Sequence, residues 1–358
     1  MGRVAVLKGL SLVLATAFIA ACGGSPTGSV SSPATTATPA ANAVAASAAT
    51  GPITQVRIGL NRNLLFFPVW VAREWGYFKE NGIDPKFTEI ASGTELRTAI
   101  LGGSVDFTVQ VPEGSAVLYQ KGAQLENVVA TQGKLTWSLV LAGKYKGQSK
   151  LGDAAFLKGK TIGVSSRGSG SDLQLQALLR AGGLKPDTDV KIVAIGAYAN
   201  GIPAMAQGRI DGMMSVEPGT SQAIAAGDFE YVFFGKPGVY PGSTEVPMGS
   251  LAAMKSYIEK QPDVVARVVR SVVEAESAMA KDPDRTLSYA AQLEKSTPDK
   301  LTKAVKGQLI PALTPVISEA GWNALMKTLV DAGSIKSAMP YDTAVATQFK
   351  SEWAAFKP

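Results

Sequence analysis

KTIGVSSRGSGSDLQLQALLRAGG, residues 160–183, runs from a short β-branched apolar stretch through a Gly/Ser-rich turn into a helical apolar pattern. A strand that enters a helix through such a turn is half of a βα unit, and the first amides of the helix point out of the turn unpaired. The same unit recurs on both sides. Upstream, QVRIGL, KFTEI, DFTVQ and NVVATQG read as strands, alternating with the helical runs FFPVWVAREWGYFKENG, GTELRTAILGG and PEGSAVLYQKG. Downstream, VKIVAIG, DGMMSV and YVFFG alternate with NGIPAMAQG and PGTSQAIAAG. Two βα series of similar length predict an α/β protein of two lobes, each with a largely parallel sheet. In PDVVARVVRSVVEAESAMAKD, Val265, Val268, Val269, Val272 and Glu276 share one helical stripe, which predicts a helix packed on a lobe.

The N-terminus gives an address. Arg3 and Lys8 precede an uncharged run from Gly9 to Ala21, too short to span a bilayer but suited to a secretory signal. The run ends in Ile19-Ala20-Ala21-Cys22, which resembles the lipobox of bacterial lipoproteins and implies lipidation of Cys22 and removal of residues 1–21. Cys22 is the chain's single cysteine, so no internal disulfide is available and the fold rests on its packed core. Residues 22–52 are almost entirely Gly, Ala, Ser, Thr and Pro without a charge, the composition of a flexible tether. The expected location is extracytoplasmic, anchored to a bacterial membrane.

Composition removes several chemistries. The 358 residues contain no histidine, which excludes His-based triads, His-ligated metals and histidine bases. No Asp or Glu spacing marks a catalytic pair, and neither a cofactor nor a metal is expected. The net charge of +6 is spread singly, without interleaved aromatics, so nucleic acid is a poor partner. The 165–174 turn lacks the Lys-Ser/Thr end of a phosphate loop and the third glycine of a dinucleotide fingerprint.

Four motifs then occur in order: GYFKENGI (76–83), SGTELRTAILGGSVDF (92–107), LKGKTIGV (157–164) and GRIDGMMSVEP (208–218). Together they resemble the nitrate, sulfonate and taurine type of ABC-transporter substrate-binding protein, and the related group that binds the pyrimidine precursor of thiamine. The resemblance implies a type II periplasmic binding protein: two α/β lobes joined by a hinge of two crossover strands, with a ligand cleft between them. It implies a monomer that hands a small ligand to an ABC permease with its ATPase and is not an enzyme. The expected division is 53–142 for the first part of lobe one, 143–238 for lobe two, and 239–358 for the return to lobe one and the C-terminal helices.

Ligands of open α/β sheets lie at the carboxyl ends of the strands. The candidate binding residues are therefore Asn61, Asn63 and Phe67 after the first strand, Ser92, Gly93 and Thr94 after the second, and Gln110 and Glu113 after the third. Lobe two offers Ser166, Arg167, Ser169 and Ser171, then Tyr198 and Asn200, then Glu217, with Trp137 and Tyr240 as aromatic walls. Several have a local alternative. Ser92 with Glu95 has capping-box spacing, and either Phe66 or Phe67 suits a helix core. Arg167, a planar fork beside free helix amides, suits a sulfonate or carboxylate, or else lies on the lobe surface. Asp172 follows the turn where sulfonate-type relatives often carry histidine, and Glu113 with Glu217 would suit an amine or pyrimidine, so ligand charge stays open. A sensory receptor and a secreted carboxylate-dependent enzyme are the alternatives on the same scaffold.

Overall fold

The computed structural model describes residues 53–148, 152–234 and 246–358. The signal and tether segments, Cys22 and Tyr240 lie outside the described residues. The first sheet contains β1 (Thr54–Leu60), β2 (Ile83–Glu89), β3 (Phe107–Gln110) and β4 (Leu125–Gln132). The second contains β5 (Ser138–Leu141), β6 (Thr161–Val164), β7 (Lys191–Ala194), β8 (Gly212–Ser215) and β9 (Phe229–Phe233). The chain then returns to the first sheet as β10 (Gly249–Met254), giving the orders β2-β1-β3-β10-β4 and β7-β6-β8-β5-β9.

Within the sheets β1 is parallel to β2 and β3, and β6 is parallel to β7 and β8. β10 runs antiparallel to both neighbours, and so does β5. These two antiparallel insertions are where the chain, having changed lobe, enters its new sheet. β5 thus belongs to the second sheet, ahead of the boundary expected at residue 142. The crossings fall between Gln132 and Ser138 and between Phe233 and Gly249.

Helices cover both faces, so the central strands β3, β5 and β8 bury every side chain, and the edge strand β4 is likewise buried along its whole length. Helix Pro262–Lys281 packs on helix Phe67–Glu74 and on β4, burying Val265, Val268, Val269 and Val272 completely. The helical run expected over 66–82 is two helices, Phe67–Glu74 and Tyr77–Glu80, because the backbone turns at Gly76. The C-terminal segment is tied to the first lobe by Trp353, whose Nε1–H donates to the Val128 carbonyl at 2.9 Å, and by a bridge of Val345 to Asn127. No helix among the described residues is long and apolar enough to cross a membrane.

Candidate functional site

The carboxyl ends of the strands in both sheets converge on one seam. After β1, Asn63 caps the turn Leu64–Phe66 by accepting the Leu65 N–H at 2.9 Å, and its Nδ2 donates to Asn61 Oδ1 at 2.7 Å. After β6, the stretch 165–171 turns its hydroxyls inward: Ser165, Ser169 and Ser171 lie within 2.9–3.2 Å of one another. Gly168, at φ +75, makes this turn possible, and its N–H donates to Asp172 Oδ2 at 2.7 Å. The Tyr198 hydroxyl rests against Ser165 and Ser171, and burial pushes it up to about 12. Tyr198 stays a neutral donor and acceptor.

Two voids open on the seam. An inner one of about 30 Å³ is lined by Gly93, Gln110 and Phe66 from lobe one and by Ser165, Ser169 and Ser171 from lobe two, with Trp137 from the crossing. An outer one of about 510 Å³ is lined by Arg62, Glu89, Glu217, Gln222 and Glu294, among others. Asn61, Asn63 and Tyr198 line both, so the voids share a wall. Trp137 is 1% exposed and meets Tyr198 edge-on at 6.0 Å, yet its Nε1–H has no partner among the described residues. Gln110 Oε1 is likewise buried and unpartnered. Buried polar atoms without partners are uncommon in native folds, and here they line a cavity.

The remaining sequence candidates stand elsewhere. Arg167 lines neither void: its guanidinium makes two bonds to Asp187 at 2.6 and 2.7 Å, one to the Ile192 carbonyl at 3.1 Å and a looser one to Asp172. The acidic groups of its own lobe have captured the fork. Phe67 is core, tilted against Tyr289 at 5.3 Å, while its neighbour Phe66 reaches the inner void. Ser92 caps its own helix by accepting the Glu95 N–H, and Asn200 holds the Ile195 carbonyl at 2.8 Å. Thr94 and Ser166 meet across the seam, the serine hydroxyl donating to Thr94 Oγ1 at 2.9 Å. Glu113 is 2% exposed and accepts from Gln174 Nε2 of the other lobe at 3.0 Å. Burial pushes Glu113 up, and the Gln174 bond works against that.

Arg97 escapes a reading based on strand ends alone. It is 5% exposed and donates through Nη2 to the Gly168 carbonyl at 2.8 Å and to Thr94 Oγ1 at 3.1 Å. Burial lowers its proton affinity, and the nearby Glu113 charge opposes that. The signal was present in GTELRTAIL, where Arg97 shares the helical stripe of Gly93 and Ile100. At Gly170 the lobes approach so closely that a Cβ would stand 2.2 Å from Val111 Cγ2. The seam is thus closed and hydrogen-bonded from both sides.

In the outer void Arg62 is held by Glu89 at 2.7 Å and by the Leu293 carbonyl at 3.2 Å. Glu217 accepts from the Ser221 hydroxyl and N–H at 3.0 and 3.1 Å, and Glu294 Oε1 has no partner among the described residues. Burial raises both Glu217 and Glu294 above the usual carboxylate range. The arrangement can hydrogen-bond a small polar molecule through Asn61, Asn63, Gln222 and the carboxylates, beside apolar Ile90, Ala199 and Val216.

Known proteins are similar to this chain in sequence or in fold. YtlA of Bacillus subtilis (strain 168) is 23% identical over 300 residues, covering 82% of this chain and 88% of the relative. The alkanesulfonate-binding protein SsuA of Xanthomonas axonopodis pv. citri, solved bound to MOPS, superposes with a TM-score of 0.68 at 18% identity, over 84% of this chain and 99% of that one. The periplasmic nitrate-binding protein NrtA of Synechocystis PCC 6803 gives 0.68 at 15% identity, over 84% and 88%. These likenesses establish the periplasmic binding protein fold expected from the four ordered motifs. The sequence pattern of the NMT1-like family matches residues 49–293, most of the described body, and the chain belongs to that family.

Proposed function

We propose that this protein is the extracytoplasmic solute-binding component of an ABC importer, which captures a small polar compound by lobe closure and presents it to a permease. The observation that carries the reading is the inner void: a cavity closed between two lobes, with the unpartnered Trp137 Nε1–H on its wall. A solute that accepts this bond and touches the serines and Gln110 gains energy only when the lobes are together, which shifts an open and closed equilibrium toward closure. Similarity to SsuA and NrtA, whose names describe binding of alkanesulfonate and nitrate, supports an importer component. Membrane anchoring through Cys22, with residues 22–52 as a tether, belongs to the same proposal and rests on the sequence. No covalent step is part of it, since the serine hydroxyls bond one another and Tyr198.

Thermal unfolding of the protein against a panel of small solutes identifies the ligand, because a compound at about 100 times its Kd adds roughly 2.7 kcal/mol. Cells deleted for the gene should then lose uptake of that compound. Undiminished uptake refutes the importer reading, and conversion of the compound on incubation with the protein favours a catalytic one.

A further inference from the structure

The charges around the two voids select among ligands, an inference that rests on the solute-binding reading. In the outer void three carboxylates, Glu89, Glu217 and Glu294, face one guanidinium, Arg62, and Arg62 is committed to Glu89. The further cation that acts on Glu217, Lys303, pairs with Glu230 at 3.9 Å. Among the described residues Glu217 and Glu294 are therefore left without a cation of their own, and the buried Glu217 carboxylate and the buried Glu294 Oε1 are costly in that condition until a positive group joins them.

The inner void has the opposite lack. Among the described residues no charged side chain lines it. Arg167, the cation of the neighbouring turn, faces Asp187 and Asp172, and Arg97, whose Nη2 bonds the neutral Gly168 carbonyl and Thr94 hydroxyl, lies in the field of Glu113. Behind the wall lie the carboxylates of Glu113, whose Oε1 would stand 3.0 Å from a Cβ on Gly170, and of Asp172, which holds the Gly168 N–H. Each of these carboxylates is matched by a cation, Glu113 by Arg97 and Asp172 by Arg167, so an anion finds no unmatched positive charge behind the wall, whereas an uncharged acceptor takes the idle Trp137 proton and needs none.

We propose that the solute is a protonated amine with an uncharged acceptor group: the ammonium sits in the outer void against Glu217 and Glu294, and the acceptor enters the inner void to Trp137 Nε1. Asn61, Asn63 and Tyr198 line both voids, so the two are adjacent, and the proposal requires these side chains to part for one short molecule to reach from one to the other.

The test is calorimetric titration of the protein with pairs of probes: glycinamide, β-alaninamide and 4-aminobutanamide against the matched amides without an amine, together with ethanesulfonate, taurine and nitrate. At least one amino amide should bind about tenfold or more tightly than its matched amide, the worth of one charge-assisted hydrogen bond. Glu294→Gln should narrow that ratio, and Trp137→Phe should weaken both members of a pair alike. Binding by anions alone overturns the inference and leaves the importer reading standing. An absence of binding by every amino amide also overturns it, as does a ratio that Glu294→Gln leaves intact.

Discussion

Replacing Glu276 with glutamine should flatten the pH dependence of stability in lobe one. Glu276 lies at 0% exposure on the stripe of helix Pro262–Lys281 that Val265, Val268, Val269 and Val272 otherwise fill, and neither carboxylate oxygen has a partner among the described residues. Burial alone drives its proton affinity well above the ordinary 4.5. Below 4.5 the folded and unfolded chains both hold the proton, and the carboxyl brings no pH-dependent loss. As pH rises past that value the unfolded chain releases the proton while the folded chain keeps it. Stability then falls by about 1.4 kcal/mol per pH unit until the folded-state value is reached, where the loss levels off. Glutamine has the same shape and the same unpartnered polarity but no proton to release. Chemical unfolding of both proteins between about pH 4 and pH 8 isolates the effect, because the other titrating groups are common to both and cancel in the difference. The advantage of E276Q should grow with pH and then plateau. A difference constant across the range would mean that the folded protein solvates or pairs the carboxylate, and the reasoning would fail.

Gly170→Ala places a methyl 2.2 Å from Val111 Cγ2 across the seam, so it should hold the lobes apart; scattering should report a larger radius with saturating ligand, at little cost in unfolding temperature. Arg97→Ala removes the bond to the Gly168 carbonyl and strips Glu113 of its neighbouring cation, and titration should register an affinity lowered by about tenfold or more. Arg167→Ala should leave affinity unchanged and cost under about 1 kcal/mol of stability, because its half-exposed partner Asp187 belongs to the same lobe. A marked loss of affinity in that variant would return the guanidinium to the cleft.

The βα units were legible because their signals are local: β-branched strands, capped helix starts and terminal glycines fall within a dozen residues of one another. β5 and β10 were not. Ser138–Leu141 and Gly249–Met254 are short buried runs without period, and each becomes a strand through partners remote in sequence. The site divides in the same way. Asn61, Asn63, Gly93, Gln110, Ser169, Ser171, Tyr198 and Glu217 follow strands, and the fold carries them to the voids. Arg167 follows a strand too, but its long side chain found Asp187, 20 residues away, a competition that motif spacing does not reveal. Glu294 reached the outer void from the C-terminal end of helix Pro283–Leu293, which no strand-end rule anticipates.

The place of β10 at the heart of the first sheet has a consequence for the order of assembly. The strands of the second sheet, β5 to β9, are contiguous in sequence and can pair as soon as residue 233 has been synthesised. The first sheet cannot: β4 touches it only through β10, so residues 125–132 wait, with both edges bare, for a strand that emerges more than 110 residues later. The lobe that begins first finishes last. Chaperone demand and aggregation should therefore centre on Leu125–Gln132, and a chain truncated before Gly249 should yield a folded second lobe beside an incomplete first one.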